Sequence, residues 1–137
     1  MGAAHFNGAI GLRGQVELRV RYEHTAAFES ENELPEVLST PRLLGLVEQA
    51  THALAEQHLD AGWVSVGFEV MLEHVAPVEI GETVVAHVLL ESAEDRDLLF
   101  RFTVQEKDSL RDVGRGQLTR KIVLLQEFLH KLKKPLL

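Results

Sequence analysis

The chain has no cysteine in its 137 residues. Disulfides, thiolate nucleophiles and sulfur-ligated metals are therefore excluded together. It also lacks an excess of positive charge: 14 lysines and arginines stand against 21 aspartates and glutamates, giving a net charge of -7. Phosphate backbones are gripped by basic surfaces, so nucleic acid is not an expected partner. Long apolar runs are missing too, since stretches such as Val84 to Leu90 fall far short of the ~20 residues a membrane-spanning helix needs. Met1 to Gly14 has no basic segment leading into an apolar one, so it does not read as a secretory signal. A cytoplasmic protein without a membrane partner is the expectation.

What is present suffices for one packed domain. With 45% apolar and 26% charged residues the composition is that of a globular chain, and the length is too short for two ordinary domains. Residues 1–14 are expected to be a flexible N-terminus and 15–137 a single domain. The end is locally basic, with His130, Lys131, Lys133 and Lys134. A solvated tail is the expected role of that cluster, with phosphate or membrane contact as the alternative.

Alternation of apolar and polar residues marks the strands, because successive side chains of a strand point to opposite faces. Val16, Leu18, Val20 and Tyr22 give one such stripe, predicting a strand from Gln15 to Tyr22. Val64, Val66, Phe68, Val70 and Leu72 give a second, which predicts a strand with one buried side and puts His74 at the end of that side. Further strands are expected over Thr83 to Glu91, Leu98 to Glu106 and Val113 to Leu125. Glu29 to Leu38 lacks periodicity and reads as a loop or short helical lid rich in glutamate.

Ser39, Thr40 and Pro41 form a helix-start signal, a hydroxyl cap followed by proline in the first turn. A helix of about 20 residues should follow, roughly 30 Å long, with Leu43, Leu46, Val47, Ala50 and Leu54 facing the core and Glu48 on the shoulder of that face. The short connections between the later strands favour antiparallel neighbours. The expected fold class is α+β, one long helix packed against a five-stranded antiparallel sheet. An open sheet leaves two edges, and pairing two copies edge to edge covers them. At least a homodimer is expected, with a tetramer as the next larger assembly.

The runs Ser39-Thr40-Pro41-Arg42-Leu43-Leu44-Gly45-Leu46-Val47-Glu48, Val64-Ser65-Val66-Gly67 leading to Glu73-His74-Val75-Ala76-Pro77-Val78, Gly81-Glu82-Thr83-Val84, and Gly114-Arg115-Gly116 before Arg120 resemble the hotdog-fold thioesterases of the fluoroacetyl-CoA thioesterase type. The resemblance extends from about Val16 to Phe128. It implies a hotdog fold, an acyl-CoA substrate, no cofactor beyond the coenzyme A of that substrate, and a catalytic group on Thr40, Glu48 and His74. Gly67 falls where the family places a glycine close to the substrate carbonyl, and Arg120 matches a family arginine, so both are assigned to substrate binding. One departure is Leu118, where the family usually has a histidine. Another is the lid, acidic here where the fluoroacetyl-specific enzyme carries selective aromatics, so the acyl group does not transfer with the resemblance.

The residue types fit thioester hydrolysis on chemical grounds. The reaction needs a base or nucleophile, a proton for the leaving thiolate, and donors for the developing oxyanion. Glu48 can be base or nucleophile, His74 can hold Glu48 or move a proton, and Thr40 can position water or substrate. Taken singly, Thr40 reads as a helix cap, Glu48 as a half-exposed carboxylate, Gly67 as a bulge, and His74 as a core histidine bonded to a carbonyl. Arg120 shares its register with Leu118, Ile122 and Leu124, so it points to the covered side and needs a carboxylate or phosphate there. Arg42 and Lys121 are candidates for the phosphates of coenzyme A, with plain surface charge as the alternative. Two other readings stand beside the hydrolase: an acyl-CoA-binding sensor without turnover, and a metal shared by Glu48, His52 and His74. No metal is expected, because the helical angle from Glu48 to His52 turns the imidazole to solvent.

Overall fold

A computed structural model of the chain describes residues 2–133, so Lys134 of the basic cluster lies outside the described residues. Five strands form one antiparallel sheet in the order β1-β3-β4-β5-β2. They are β1 (Arg13–Arg19), β2 (Trp63–His74), β3 (Thr83–Glu94), β4 (Asp97–Glu106) and β5 (Asp112–Leu124). A short helix α1 (Ala26–Glu29) opens the lid, a long helix α2 (Thr40–Glu56) lies on one face of the sheet, and α3 (Leu125–Leu132) follows the last strand. This is the α+β arrangement that the spacing of apolar residues predicts.

Ser39, not Thr40, caps α2: its hydroxyl oxygen accepts from the Arg42 amide at 3.2 Å and donates to Glu29 of the lid at 2.8 Å. Thr40 is thereby released for another partner. Leu43, Leu46, Val47, Ala50 and Leu54 form the buried face of the helix, with Thr51 and Ala55 beside them. They pack on Val84, Ala86 and Val88 of β3, Leu98, Phe100, Phe102 and Val104 of β4, and Leu118 and Ile122 of β5. Each fully buried leucine or phenylalanine contributes about 1.5–3 kcal/mol through apolar surface removed from water.

Three expectations are corrected. The first strand ends at Arg19, and Tyr22 lies in a single 3-10 turn (Tyr22–His24) with its ring exposed. The flexible N-terminus expected over residues 1–14 is instead tied down from Ala3 onward. The Ala4 amide bonds to Asp95, Asn7 to His58 and Gly11 to Leu90, all at 2.8–2.9 Å, while Phe6 and Leu12 pack on the core and His5 stacks on Trp63. Glycine and alanine suggested fraying, but those backbone bonds fix the segment across one end of the helix and sheet layers.

The third correction concerns β2. Its even-numbered apolar stripe is not one buried face, because a β-bulge between Gly67 and Glu69 inserts one extra residue, Phe68. Before the bulge the odd positions Trp63, Ser65 and Gly67 face α2; after it the even positions Leu72 and His74 do. Phe68 is left 64% exposed and Met71 70% exposed on a strand whose outer edge has no neighbour among the described residues.

Candidate active site

Two polar pairs lie between α2 and the sheet. At the start of the helix, Thr40 Oγ1 is 2.8 Å from His74 Nδ1, a hydrogen bond across to the end of β2. The second ring nitrogen, Nε2, is buried and has no hydrogen-bond partner among the described residues. Buried polar atoms are rarely left unpaired in the absence of a functional reason. Burial pulls the His74 pKa below the ordinary histidine value, with the Ala76 backbone opposing it. The ring is therefore neutral near pH 7. An open cleft of about 320 Å³ lies here, lined by Ala26, Val37, Leu38, Thr40, His74 and Pro77.

The second pair sits two turns along the helix. Arg120, only 4% exposed, reaches from β5 under α2 and donates through Nη1 to Glu48 Oε2 at 3.0 Å. Its other donors go to Ser65 Oγ (2.7 Å), the Ser65 carbonyl (2.9 Å) and Thr51 Oγ1 (3.3 Å). Burial lowers the arginine pKa, and the Glu48 carboxylate opposes that by charge and hydrogen bond. A buried cation is tolerated when paired and fully bonded in this way. The Glu48 side chain remains 44% exposed, so solvent reaches the carboxylate side of the pair.

Gly67 is the floor under that carboxylate. A Cβ at this position would lie 2.7 Å from Glu48 Oε2 and 3.0 Å from Oε1. Any other residue type would force the carboxylate to shift from this position. Gly67 thus lies directly against the Glu48 carboxylate, immediately before the bulge.

Of the residues singled out in the sequence, Thr40 meets His74, and Glu48 meets Gly67 and Arg120. The two groups do not meet each other in one chain. Eight residues separate Thr40 from Glu48 on α2, about 12 Å along the helix axis. His74 does not hold Glu48; Arg120 does. Arg120, expected to bind substrate, is instead committed to protein partners by its burial and by the four contacts above. Lys121 is occupied as well, 2.7 Å from Asp97 and over the Phe68 ring. Arg42 borders a groove between α2 and β1 with Leu18 and Gly45. His52 turns away to Glu56 at 3.6 Å, and no cluster of three metal-ligating side chains occurs among the described residues. Sequence reading passed over Ser65 and Thr51, the neutral partners of Arg120. The available signal was Thr51, one turn beyond Glu48 on the same helix shoulder.

The chain is similar in sequence and fold to known thioesterases. The family described as fluoroacetyl-CoA-specific thioesterase matches residues 20–126. The fluoroacetyl-CoA thioesterase of Streptantibioticus cattleyicolor is 31% identical over 102 residues, covering 74% of this chain and 72% of that one. A solved structure of the fluoroacetyl-CoA thioesterase FlK superposes with a TM-score of 0.85 at 28% identity, covering 94% of this chain and 99% of that chain. A thioesterase superfamily member from Thermus thermophilus shares the fold, with a TM-score of 0.85 at 20% identity and coverage of 91% and 90%.

Proposed function

The chain belongs to the fluoroacetyl-CoA-specific thioesterase family and is a thioester hydrolase of the hotdog fold; we propose that it cleaves a small or medium acyl-CoA to free acid and coenzyme A, as a homodimer whose sites are shared. One observation carries this reading. The Glu48 carboxylate is held by a buried arginine against Gly67, while the Thr40–His74 pair waits with a free ring nitrogen about 12 Å away along the helix.

Hydrolysis needs both ends. In the proposed step Glu48 takes a proton from water as the water oxygen bonds to the thioester carbonyl carbon. The C–S bond then breaks, and the proton that Glu48 took from water passes by way of His74 Nε2 to the leaving thiolate, which returns the carboxylate and the neutral ring to their starting state; the other ring nitrogen is fixed by Thr40. The positive N-terminal end of α2 favours the developing oxyanion. No cofactor enters, since coenzyme A arrives and departs within the substrate.

A second copy supplies the missing proximity. Among the described residues the outer edge of β2 is unpaired and presents Phe68, Val70 and Met71 to solvent, a surface that demands cover. Antiparallel pairing of two β2 strands about a twofold axis sets the Gly67 region of one beside the His74 end of the other. Glu48 of the partner subunit then faces the Thr40–His74 pair.

Release of free coenzyme A from a panel of short, branched, long and aryl acyl-CoAs, followed with a thiol reagent, tests the activity. The protein has no thiol of its own to add background. Turnover on short or medium chains is the expected result; binding with no release from any member overturns it in favour of an acyl-CoA sensor. Mixing Glu48→Gln chains with His74→Ala chains tests the sharing. Mixed dimers hold one intact shared site, so about a quarter of wild-type activity returns. Sites confined to one chain would return none.

A further inference from the structure

Helix α3 has no buried residue, yet Leu125, Phe128, Leu129 and Leu132 form a continuous apolar stripe at three-and-four spacing. Leu132 is 67% exposed. A helix of eight residues is too short to persist in water on its own propensity, so its stripe requires a surface to pack on. His130, Lys131 and Lys133 make the same helix end basic, in a chain that is acidic as a whole.

The lid between α1 and α2 has the complementary character. Residues 28–36 carry Glu29, Glu31, Glu33 and Glu36 with no lysine or arginine, and Phe28 and Leu34 stand exposed among them. Glu29 is engaged with Ser39, whereas Glu31, Glu33 and Glu36 form no ion pair among the described residues. Within one chain the two features sit at opposite ends of β2. Helix α3 is tied to the Trp63 end, where the Leu125 amide bonds to Gly62 at 3.0 Å. The lid is tied beyond the His74 end, where the Leu38 amide bonds to Val78 at 2.8 Å and Val37 bridges to Glu79.

Antiparallel pairing of two β2 strands reverses that separation, bringing the Trp63 end of each beside the His74 end of the other. We propose that α3 docks on the lid of a second copy of this chain, its leucines against Phe28 and Leu34 of the partner subunit and its lysines toward the partner subunit's Glu31, Glu33 and Glu36. This rests on the homodimer reading above and adds to it a clasp in which each subunit braces the lid over the other's cleft. Because the lid also holds the α2 cap through Glu29 and Ser39, the brace acts next to Thr40.

The absence of cysteine makes the test direct. Leu34→Cys and Leu132→Cys are made in separate chains, mixed, and treated with a flexible bismaleimide. A covalent dimer is expected in the mixture and not between Leu34→Cys and Arg13→Cys, which lies on the far edge strand. Charge reversal at Lys131 and Lys133 should cut its yield several-fold, as should high salt. Sedimentation of the unmodified protein separates the failures. A monomer overturns the homodimer and the clasp together, and a dimer without cross-linking overturns the clasp alone. Two further results also overturn it: cross-linking only within a single chain carrying both cysteines, or Phe128-dependent binding to phosphatidylglycerol vesicles with no cross-linked dimer.

Discussion

The Thr40–His74 pair at the start of α2 and the Glu48–Arg120 pair about two turns further on differ in almost every physical respect. The first is neutral, lies beside an open cleft, and leaves one ring nitrogen unbonded. The second is charged, rests on an arginine that is 4% exposed, and has partners for the arginine in the Ser65 backbone and two hydroxyls. The difference is one of completeness: the fold supplies every partner that holds the carboxylate in place, and it leaves the histidine one partner short among the described residues.

Breaking either pair at its reactive member should have the largest effect. Glu48→Gln and His74→Ala are each expected to lower turnover by about a hundredfold or more, on the order of 3 kcal/mol in the barrier. Steady-state kinetics with circular dichroism to confirm the fold is the check, and near-wild-type rates in both would discard the catalytic assignment. Arg120→Met attacks the finished pair through its support. It should cost about 2 kcal/mol of stability in urea unfolding, less than a fully buried pair because water reaches Glu48. The same change at Thr40 should leave stability nearly untouched.

Smaller effects sharpen the contrast. Gly67→Ala places a methyl against the Glu48 carboxylate and should reduce kcat about tenfold with little change in KM. The smallest effect is in pH. The folded-state pKa of His74 lies below its unfolded value of about 6.5, so in that window the unfolded chain binds more protons and stability falls as pH drops through it. The acid limb of kcat/KM should likewise lie below about pH 6.5 and vanish in His74→Ala. A limb at the ordinary histidine value or above would contradict the burial of this ring.

Local signals were legible where one residue type does one job. The Ser39-Thr40-Pro41 start, the apolar face of α2 and the alternation of β4 follow from capping and periodicity, and the structure shows each. The covered position of Arg120 was legible from its strand register, and so was its need for a carboxylate or a phosphate. Its partner was not, because α2 and β5 come together only in the folded chain and nothing in the local pattern links Glu48 to a residue 72 positions later. The face of β2 was misread for a different reason: an apolar stripe through Phe68 looks continuous in sequence, and only pairing with β5 shows that one residue is extra. The anchored N-terminus escaped because its bonds are backbone bonds, which side-chain composition does not report.

The bulge at Phe68 gives β2 two reading frames. Odd numbers face the helix on one side of it and even numbers on the other, so Ser65 and Gly67 can serve Arg120 and Glu48 while His74 serves Thr40. Substitution at Phe68 keeps both frames, since the backbone count is unchanged. Deleting this single residue does not: restoring a regular alternation puts either the glycine floor or the histidine on the wrong face of the sheet. The strand thus tolerates a change of letter at this point far better than a change of length, and an insertion or deletion of one residue here is a more severe mutation than any replacement of the exposed ring.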